Sequence, residues 1–168
     1  MPIDPPAPRE PIDPDVTSAE AHEAAAEHLS LRHLLRGRGD IVGSIAAGGA
    51  IGALARWGLA ELIPHGTGEF ATSTLIANVV GAFLIGVLMV VVVEVMQPTR
   101  LVRPFLGVGV LGGFTTFSTY TLDLHEMLRE GHPGAAAAYL VVTLVGGLAA
   151  TAAAIAVTRH LLVREGAQ

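Results

Sequence analysis

Four apolar segments dominate the chain after residue 40, and each is close to the roughly 20 residues that an α-helix needs to cross a bilayer. Turn-forming sequences separate them, namely PHGTGE, QPTR and REGHPG. The segments run from Ile41 to Leu62, Phe70 to Met96, Leu101 to Leu122 and Gly134 to Leu162. This pattern predicts an all-α integral membrane protein with four transmembrane helices.

Hydrophilic sequence flanks the membrane domain, which we assign to residues 41–162. Residues 1–40 form an N-terminal extension that opens with a proline-rich tail of a kind typical of disorder. Thr17 and Glu20 then have capping-box spacing ahead of a run rich in alanine and leucine, which favours an amphipathic helix at residues 17–36 on the membrane surface. A partly helical, solvated extension without a specific role is the alternative. Residues 163–168 form a short C-terminal tail.

Composition narrows the function classes. The side chains are 51% hydrophobic and only 15% charged, which is outside the range of ordinary soluble domains. The absence of cysteine excludes disulfides, thiolate nucleophiles and cysteine-based metal sites. Nothing in the sequence forms the basic face that nucleic-acid binding needs. The seven histidines have no metalloprotease spacing and no nucleophile has an evident base, so we predict that the protein is not an enzyme.

Arginine placement predicts the orientation in the membrane. An even number of spans puts both termini on one side, and the positive-inside rule makes that side cytoplasmic. Arg129 lies on the opposite side, and Arg56 is recessed near the far end of the first span. We therefore expect a multi-pass protein of the cell membrane with cytoplasmic termini. The arginines near the spans on the terminal side are Arg32, Arg36, Arg38, Arg100, Arg103, Arg159 and Arg164.

Two polar side chains interrupt the first and second segments. Asn78 sits in the second span, where lipid satisfies none of its amide hydrogen-bonding groups, so it faces protein or water. It acts either as a hydrogen bond between helices or as a donor to a passing anion. Arg56 either extends toward the interface or faces a water-filled vestibule, where it would raise the local anion concentration. The sequence leaves both pairs of interpretations open.

The third segment contains the polar run GVLGGFTTFSTYTLD, residues 109–123. Two adjacent glycines weaken the helix, and the hydroxyl side chains that follow can satisfy backbone groups that a break sets free. We predict that the third helix is broken near Gly112 to Thr115. Irregular backbone at membrane depth must be inside protein or beside water, which favours an oligomer. Its exposed carbonyls also suit a small cation.

Phe117 and Tyr120 lie three residues apart after this predicted break. The edge of an aromatic ring carries partial positive charge, so ring edges along a narrow path attract a small anion without a formal charge. Most aromatic stripes serve packing alone, which is the competing interpretation. The neighbouring hydroxyl groups and Asn78 favour a path for an anion.

Three motifs together resemble the Fluc (CrcB) family of fluoride channels. They are GGAIGALARW at 48–57, STLIANVVGAFLIG at 73–86 and GVLGGFTTFSTYTLD at 109–123, and the resemblance covers residues 43–160. It implies a fluoride-specific channel that passively exports fluoride from the cytoplasm and so reduces fluoride toxicity. It further implies an antiparallel, dual-topology dimer of four-helix subunits with two fluoride pathways.

The resemblance also implies roles for individual residues. A structural sodium ion at the dimer centre would be bound by the backbone carbonyls of Gly112 and Thr115 from each subunit. Thr143, in AYLVVTLVGG, would supply a hydroxyl group from the fourth span. The implied vestibule cation is Arg56, and the implied pore-lining residues are Asn78, Phe117, Ser118, Thr119, Tyr120 and Thr143.

Two features depart from the family pattern. The second aromatic residue of the family is commonly Phe, whereas this chain has Tyr120. The arginine asymmetry should fix most copies in one orientation, although an antiparallel dimer needs both. We therefore expect the second subunit to be an oppositely oriented homologue, with a homodimer as the alternative.

Two other functions compete with a fluoride channel. A proton-coupled small exporter would need a titratable group in its pathway, but Glu94 is close to a span end and Asp123 is placed near an interface. A structural membrane subunit without transport predicts that replacing Phe117 or Asn78 is harmless if folding survives. Fluoride flux with no proton gradient would separate the channel from the exporter.

Overall fold

The computed structural model describes residues 38–95 and 100–162. The chain divides into two units, Met1–Arg38 and Gly39–Gln168, and the helices named below all belong to the second. The amphipathic helix predicted at 17–36 and the tail at 163–168 lie outside the described residues. Those that are described form no strand. The helices are α1 (Gly39–Leu62), α2 (Thr72–Val90), α3 (Gly112–Phe114), α4 (Ser118–Arg129) and α5 (Pro133–Leu162), with π-helical segments at Val91–Val95 and Pro104–Leu111.

Four helical stretches are long and apolar enough to cross a membrane, as the hydrophobic pattern predicts: Gly39–Leu62, Thr72–Val90, Pro104–Arg129 and Pro133–Leu162. The chain is therefore a multi-pass membrane protein. The third stretch extends seven residues beyond the end predicted at Leu122. It continues because Asp123, which the sequence suggested was an interfacial residue, is buried and accepts a hydrogen bond from Tyr139.

Glycines bring α1 and the third span into backbone contact. Gly48 and Gly52 are buried, as expected for a protein-facing line of small residues. A Cβ atom on Gly48 would overlap the carbonyl oxygen of Phe105, and one on Gly52 would overlap that of Val110. Gly109 is the reciprocal case, because its Cβ would lie 2.8 Å from the carbonyl oxygen of Ile45. We call this contact the glycine seam; it is formed by Gly48, Gly52, Gly109 and Gly113.

A second close contact joins α2 to α5. A Cβ atom on Gly86 would lie 2.8 Å from the Ala154 Cβ and from the Thr151 carbonyl oxygen, and Ala154 is fully buried. The Thr151 hydroxyl donates to the Ala82 carbonyl across the interface at 2.9 Å. Small residues permit the approach, and the hydroxyl adds a polar contact between the helices.

Ion pairs lie where the helices end on the terminal side. The Arg159 guanidinium bonds both carboxylate oxygens of Glu94, with Nε 2.8 and 3.1 Å away. Arg100 pairs with Asp40 at 3.4 Å. Between the ends, many large apolar side chains point outward, among them Leu54, Trp57 and Leu148, each more than 60% exposed. An outer surface of this kind suits contact with lipid.

Candidate functional site

The polar run of the third span contains a short extended segment. α3 ends at Phe114, and Thr115 has φ −77° and ψ 159°, which is extended backbone. Gly112 and Gly113 are helical. Of the residues 112–115, where the sequence predicts a break, only Thr115 has extended backbone. The Thr115 hydroxyl donates to the Leu111 carbonyl at 2.9 Å, which satisfies a backbone group of the preceding turn.

Thr116 lies two residues before the start of α4 at Ser118. Its hydroxyl oxygen accepts a hydrogen bond from the backbone N–H of Thr119 at 3.2 Å. A helix-capping side chain accepts the N–H of the residue three positions further along the chain in the same way. The same hydroxyl donates to the Thr119 hydroxyl oxygen at 3.1 Å. Ser118 Oγ lies 3.4 Å from the Thr116 hydroxyl oxygen. The hydroxyl groups of this run therefore organise the start of α4 as well as offering donors.

Asn78 of α2 binds the extended segment through two hydrogen bonds. Its Nδ2 donates to the Thr116 carbonyl at 2.9 Å, and its Oδ1 accepts the Thr116 N–H at 2.8 Å. An amide group has two N–H donors, so one remains for another acceptor. Asn78 therefore joins two spans and keeps one N–H donor without a partner among the described residues.

Two open cavities meet at Asn78, Gly112 and Thr115. Thr116, Phe117, Tyr120, Thr143 and Leu144 complete the lining of the larger one, whose volume is about 390 Å³. The smaller, of about 250 Å³, continues along Gly81, Ala82, Ile85, Gly107 and Leu111. None of these lining residues carries a charge. The two cavities form an uncharged site in which a few polar groups lie among apolar side chains.

Thr143 brings an unused hydroxyl group to the larger cavity. Its side chain is buried, and its Oγ1 has no hydrogen-bond partner among the described residues. A buried hydroxyl without a partner is costly, so such a group marks a place where a ligand or water completes the bonding. Thr143 therefore lines the cavity, with its hydroxyl oxygen buried and without a partner among the described residues.

The aromatic pair divides into one exposed and one buried ring. Phe117 is 78% exposed, whereas Tyr120 is 6% exposed, and their ring centres are 6.0 Å apart. The Tyr120 hydroxyl lies 3.5 Å from the Leu140 carbonyl oxygen, at the long limit of a hydrogen bond. It points toward α5, so it does not obstruct the face that Phe117 presents.

Tyr139 and Asp123 form a buried pair that sequence reasoning missed. The Tyr139 hydroxyl donates to Asp123 Oδ2 at 3.1 Å, and the Tyr139 side chain is fully buried. Its ring packs between two others: it is tilted by 43° against Tyr120, with centres 5.3 Å apart, and lies edge-on at 78° to Phe70, with centres 5.1 Å apart. The sequence shows only a carboxylate and a tyrosine near the ends of two different spans, and nothing in it indicates that they pair.

Arg56 and Thr119 line a cavity that contains neither Asn78 nor Thr115. Arg56 Nε donates to the Gly113 carbonyl at 3.2 Å, at the end of α3. The cavity, of about 170 Å³, is also lined by Trp57, Ser73, Thr74 and Thr116. Thr119 thus faces the Arg56 cavity rather than the Asn78 cavities. Ser118 is exposed and lines none of these three cavities.

The fold and the site together define a small multi-pass membrane protein whose polar chemistry lies within its spans, as in a channel or transporter. Residues 44–155 match the model of the family described as CrcB-like protein, Camphor Resistance (CrcB). The chain belongs to the CrcB family, as the three motifs indicated.

Curated relatives agree with this assignment. The chain is 48% identical over 124 residues to fluoride-specific ion channel FluC 2 of Streptomyces avermitilis, which covers 74% of this chain and 77% of that protein. It is 44% identical to fluoride-specific ion channel FluC 2 of Thermobifida fusca, over 74% of this chain and 92% of that protein. It is 40% identical to fluoride-specific ion channel FluC 1 of Mycobacterium bovis, over 73% of this chain and 92% of that protein. These relatives are named ion channels rather than enzymes.

Proposed function

We propose that this chain is a fluoride-specific ion channel that passively exports fluoride from the cytoplasm and so reduces fluoride toxicity. Relatives that are 40–48% identical carry the name fluoride-specific ion channel. The structural observation that carries the proposal is the uncharged cavity that unites a spare Asn78 N–H, the unpartnered Thr143 hydroxyl and the exposed Phe117 ring.

The chemistry of this cavity suits a small, strongly hydrated anion. Such an ion needs closely spaced donors to replace the water it loses, and uncharged donors bind it weakly enough for it to leave. The positive edge of the Phe117 ring adds attraction without a fixed charge. Arg56 lines a separate cavity and does not line those that contain Asn78, so it does not hold the ion there.

A proton-coupled exporter is not favoured by the lining. Coupling requires a titratable group in the pathway, and among the described residues no Asp, Glu or His lines the two cavities that share Asn78. Asp123 is buried against Tyr139 instead. We therefore treat the protein as a passive channel and not as an enzyme.

The test is fluoride efflux from liposomes that contain the purified chain. We expect fluoride to leave the liposomes without any proton gradient, and chloride under the same conditions to leave far more slowly. A fluoride-selective electrode measures the first, and a chloride electrode on matched liposomes measures the second. Equal rates for the two halides would contradict fluoride selectivity, and flux only under a pH gradient would favour the exporter.

A second subunit in the opposite orientation would complete the pathway. The support is that the Asn78 cavities are open, that Phe117 is 78% exposed, and that a Cβ atom on Gly112 would meet nothing within 4 Å. A polar cavity with irregular backbone is unfavourable in contact with lipid. In this proposal the extended backbone at Thr115 is the break in the third helix, and the partner subunit covers it.

The carbonyls of Gly112 and Thr115 are suited to a structural sodium ion at the centre of that dimer. Backbone carbonyl oxygens are hard ligands of the kind that small cations prefer in unwound membrane helices. Both residues line both Asn78 cavities, and the open space beside Gly112 leaves room for an ion. Two carbonyls from each subunit would supply four oxygens, and the ion would join the two chains.

Topology tests the identity of the partner. The seven arginines near the spans on the terminal side should place the termini of most copies in the cytoplasm. We therefore expect a reporter fused to Gln168 to give a signal mainly from the cytoplasmic side when this chain is expressed alone. That result would favour an oppositely oriented homologue as partner. Comparable signals from both sides would mean dual topology and a homodimer.

A further inference from the structure

Two backbone N–H groups near the extended segment are bonded to side-chain oxygens. In a continuous α-helix the N–H of each residue donates to the carbonyl four positions before it. The Thr116 N–H would then cover the Gly112 carbonyl, and the Thr119 N–H would cover that of Thr115. Instead, the Thr116 N–H donates to Asn78 Oδ1 at 2.8 Å, and the Thr119 N–H donates to Thr116 Oγ1 at 3.2 Å.

We propose that Asn78 and Thr116 are positioning residues that keep the carbonyl oxygens of Gly112 and Thr115 free to bind a cation. Their side chains accept the two N–H groups that would otherwise cover those oxygens. This inference rests on the proposed sodium site and deepens it, because neither side chain itself serves as a ligand of the ion.

The amide of Asn78 is well suited to this task. Oδ1 holds the Thr116 N–H, while Nδ2 donates to the Thr116 carbonyl at 2.9 Å, so both polar backbone groups of one residue are fixed. A hydroxyl side chain is too short to reach both groups, and a carboxylate could hold only the N–H. The pairing therefore fixes the direction of the chain at Thr116 and turns its N–H away from Gly112.

Thr116 completes the arrangement one turn further on. Its hydroxyl accepts the Thr119 N–H and donates to the Thr119 hydroxyl at 3.1 Å, so its hydrogen is already used and its oxygen is available as an acceptor. Losing this hydroxyl leaves the Thr119 N–H without an acceptor at the start of α4. If the helix then wound back by one turn, this N–H would bond the Thr115 carbonyl. One of the two proposed ligand oxygens would then be covered.

The experiment measures sodium binding rather than transport. The thermal unfolding midpoint of the purified dimer that contains the full-length chain, with itself or with its homologue, is followed in detergent as Na⁺ replaces N-methylglucamine at constant ionic strength. A ligand that binds only the folded state raises this midpoint with concentration. We expect Na⁺ to raise the midpoint of the wild type, and the half-maximal concentration to rise at least tenfold in Thr116→Val.

Matched variants separate the acceptor role from packing. Thr116→Ser keeps the hydroxyl and should keep the half-maximal Na⁺ concentration within about twofold of the wild type, since the capping oxygen is retained. Asn78→Leu removes the acceptor and should behave like Thr116→Val, whereas Asn78→Asp keeps an acceptor oxygen and should keep the Na⁺ response. Ser44→Ala, which loses a hydrogen bond within α1 to the Ile41 carbonyl and lines none of the described cavities, should leave it unchanged.

The outcomes separate the sodium site from the positioning role. If Na⁺ does not change the midpoint of the wild type, both the sodium site and this inference are wrong. If the wild type responds and Thr116→Val responds at the same concentrations, the inference is wrong and the sodium site stands. Should Asn78→Leu fail to fold, the comparison of Thr116→Val with Thr116→Ser decides. The fluoride flux of the wild type is independent of all three results.

Discussion

Replacing Asn78 by Asp should lower fluoride flux by at least about 10- to 100-fold, while the protein still assembles. The change removes the spare N–H donor from the cavity, and a hydrogen bond to a charged group contributes about 1.5–3 kcal/mol. Since about 1.4 kcal/mol is a factor of ten, the lost donor alone gives that range. An ionised carboxylate repels the anion as well. Efflux from liposomes that contain equal amounts of variant and wild type measures the effect.

Thr72→Asp is the matched control for the added charge. Thr72 is exposed at the start of the same helix, outside the described cavities, where the helix dipole favours an acid. It lies six residues, or about 9 Å of helix, from Asn78. We expect it to keep most of the wild-type flux. An Asn78→Asp channel that elutes normally on gel filtration and conducts as fast as the wild type would rule out a pore role for Asn78.

Gly52→Ala should give the largest loss of stability among single-methyl additions to α1. Its Cβ atom would overlap the carbonyl oxygen of Val110, which is backbone and cannot move aside as a side chain can. Overpacking of this kind costs about 1–3 kcal/mol or more, which outweighs the roughly 1 kcal/mol that alanine adds to helix propensity. The fraction of monodisperse protein after heating, followed by gel filtration, measures the loss.

Gly49→Ala is the control within the same helix. A Cβ atom on Gly49 would meet nothing within 4 Å, so the substitution keeps the gain in helix propensity without the overlap. We expect Gly49→Ala to be at least as stable as the wild type. If both variants lost the same stability, the backbone contact at Gly52 would not be the cause.

Hydropathy was enough to predict the four spans, because a bilayer requires about 20 apolar residues for each helix. Small residues four positions apart share one helix face and permit close helix contact, and Gly48 and Gly52 are both buried. Hydropathy did not predict where the third span ends, because a carboxylate such as Asp123 is normally assigned to the membrane interface unless a buried partner is known. That partner, Tyr139, is 16 residues away and on another helix.

The sequence was enough to predict which residue types belong to the candidate site, but it did not predict which residues contact one another. An amide within a span must find hydrogen bonds in protein or water, so Asn78 stood out. Its bonds go to Thr116, 38 residues further on, and nothing in the spacing indicates that pairing. Thr119, which the resemblance assigns to the pore lining, is in the lining of the Arg56 cavity. The extended backbone at Thr115 interrupts the helical periodicity from which the face of Thr119 could have been predicted.

The glycine seam also has a genetic consequence. Every missense change in a glycine codon adds a Cβ atom, and at Gly48, Gly52, Gly109 and Gly113 that atom would meet backbone atoms of the neighbouring helix. A backbone obstacle cannot be relieved by shrinking a facing side chain, so a second-site substitution on the other helix has nothing to remove. Under fluoride selection these four codons should accept synonymous changes only, and suppressor mutations should not arise at the residues that face them.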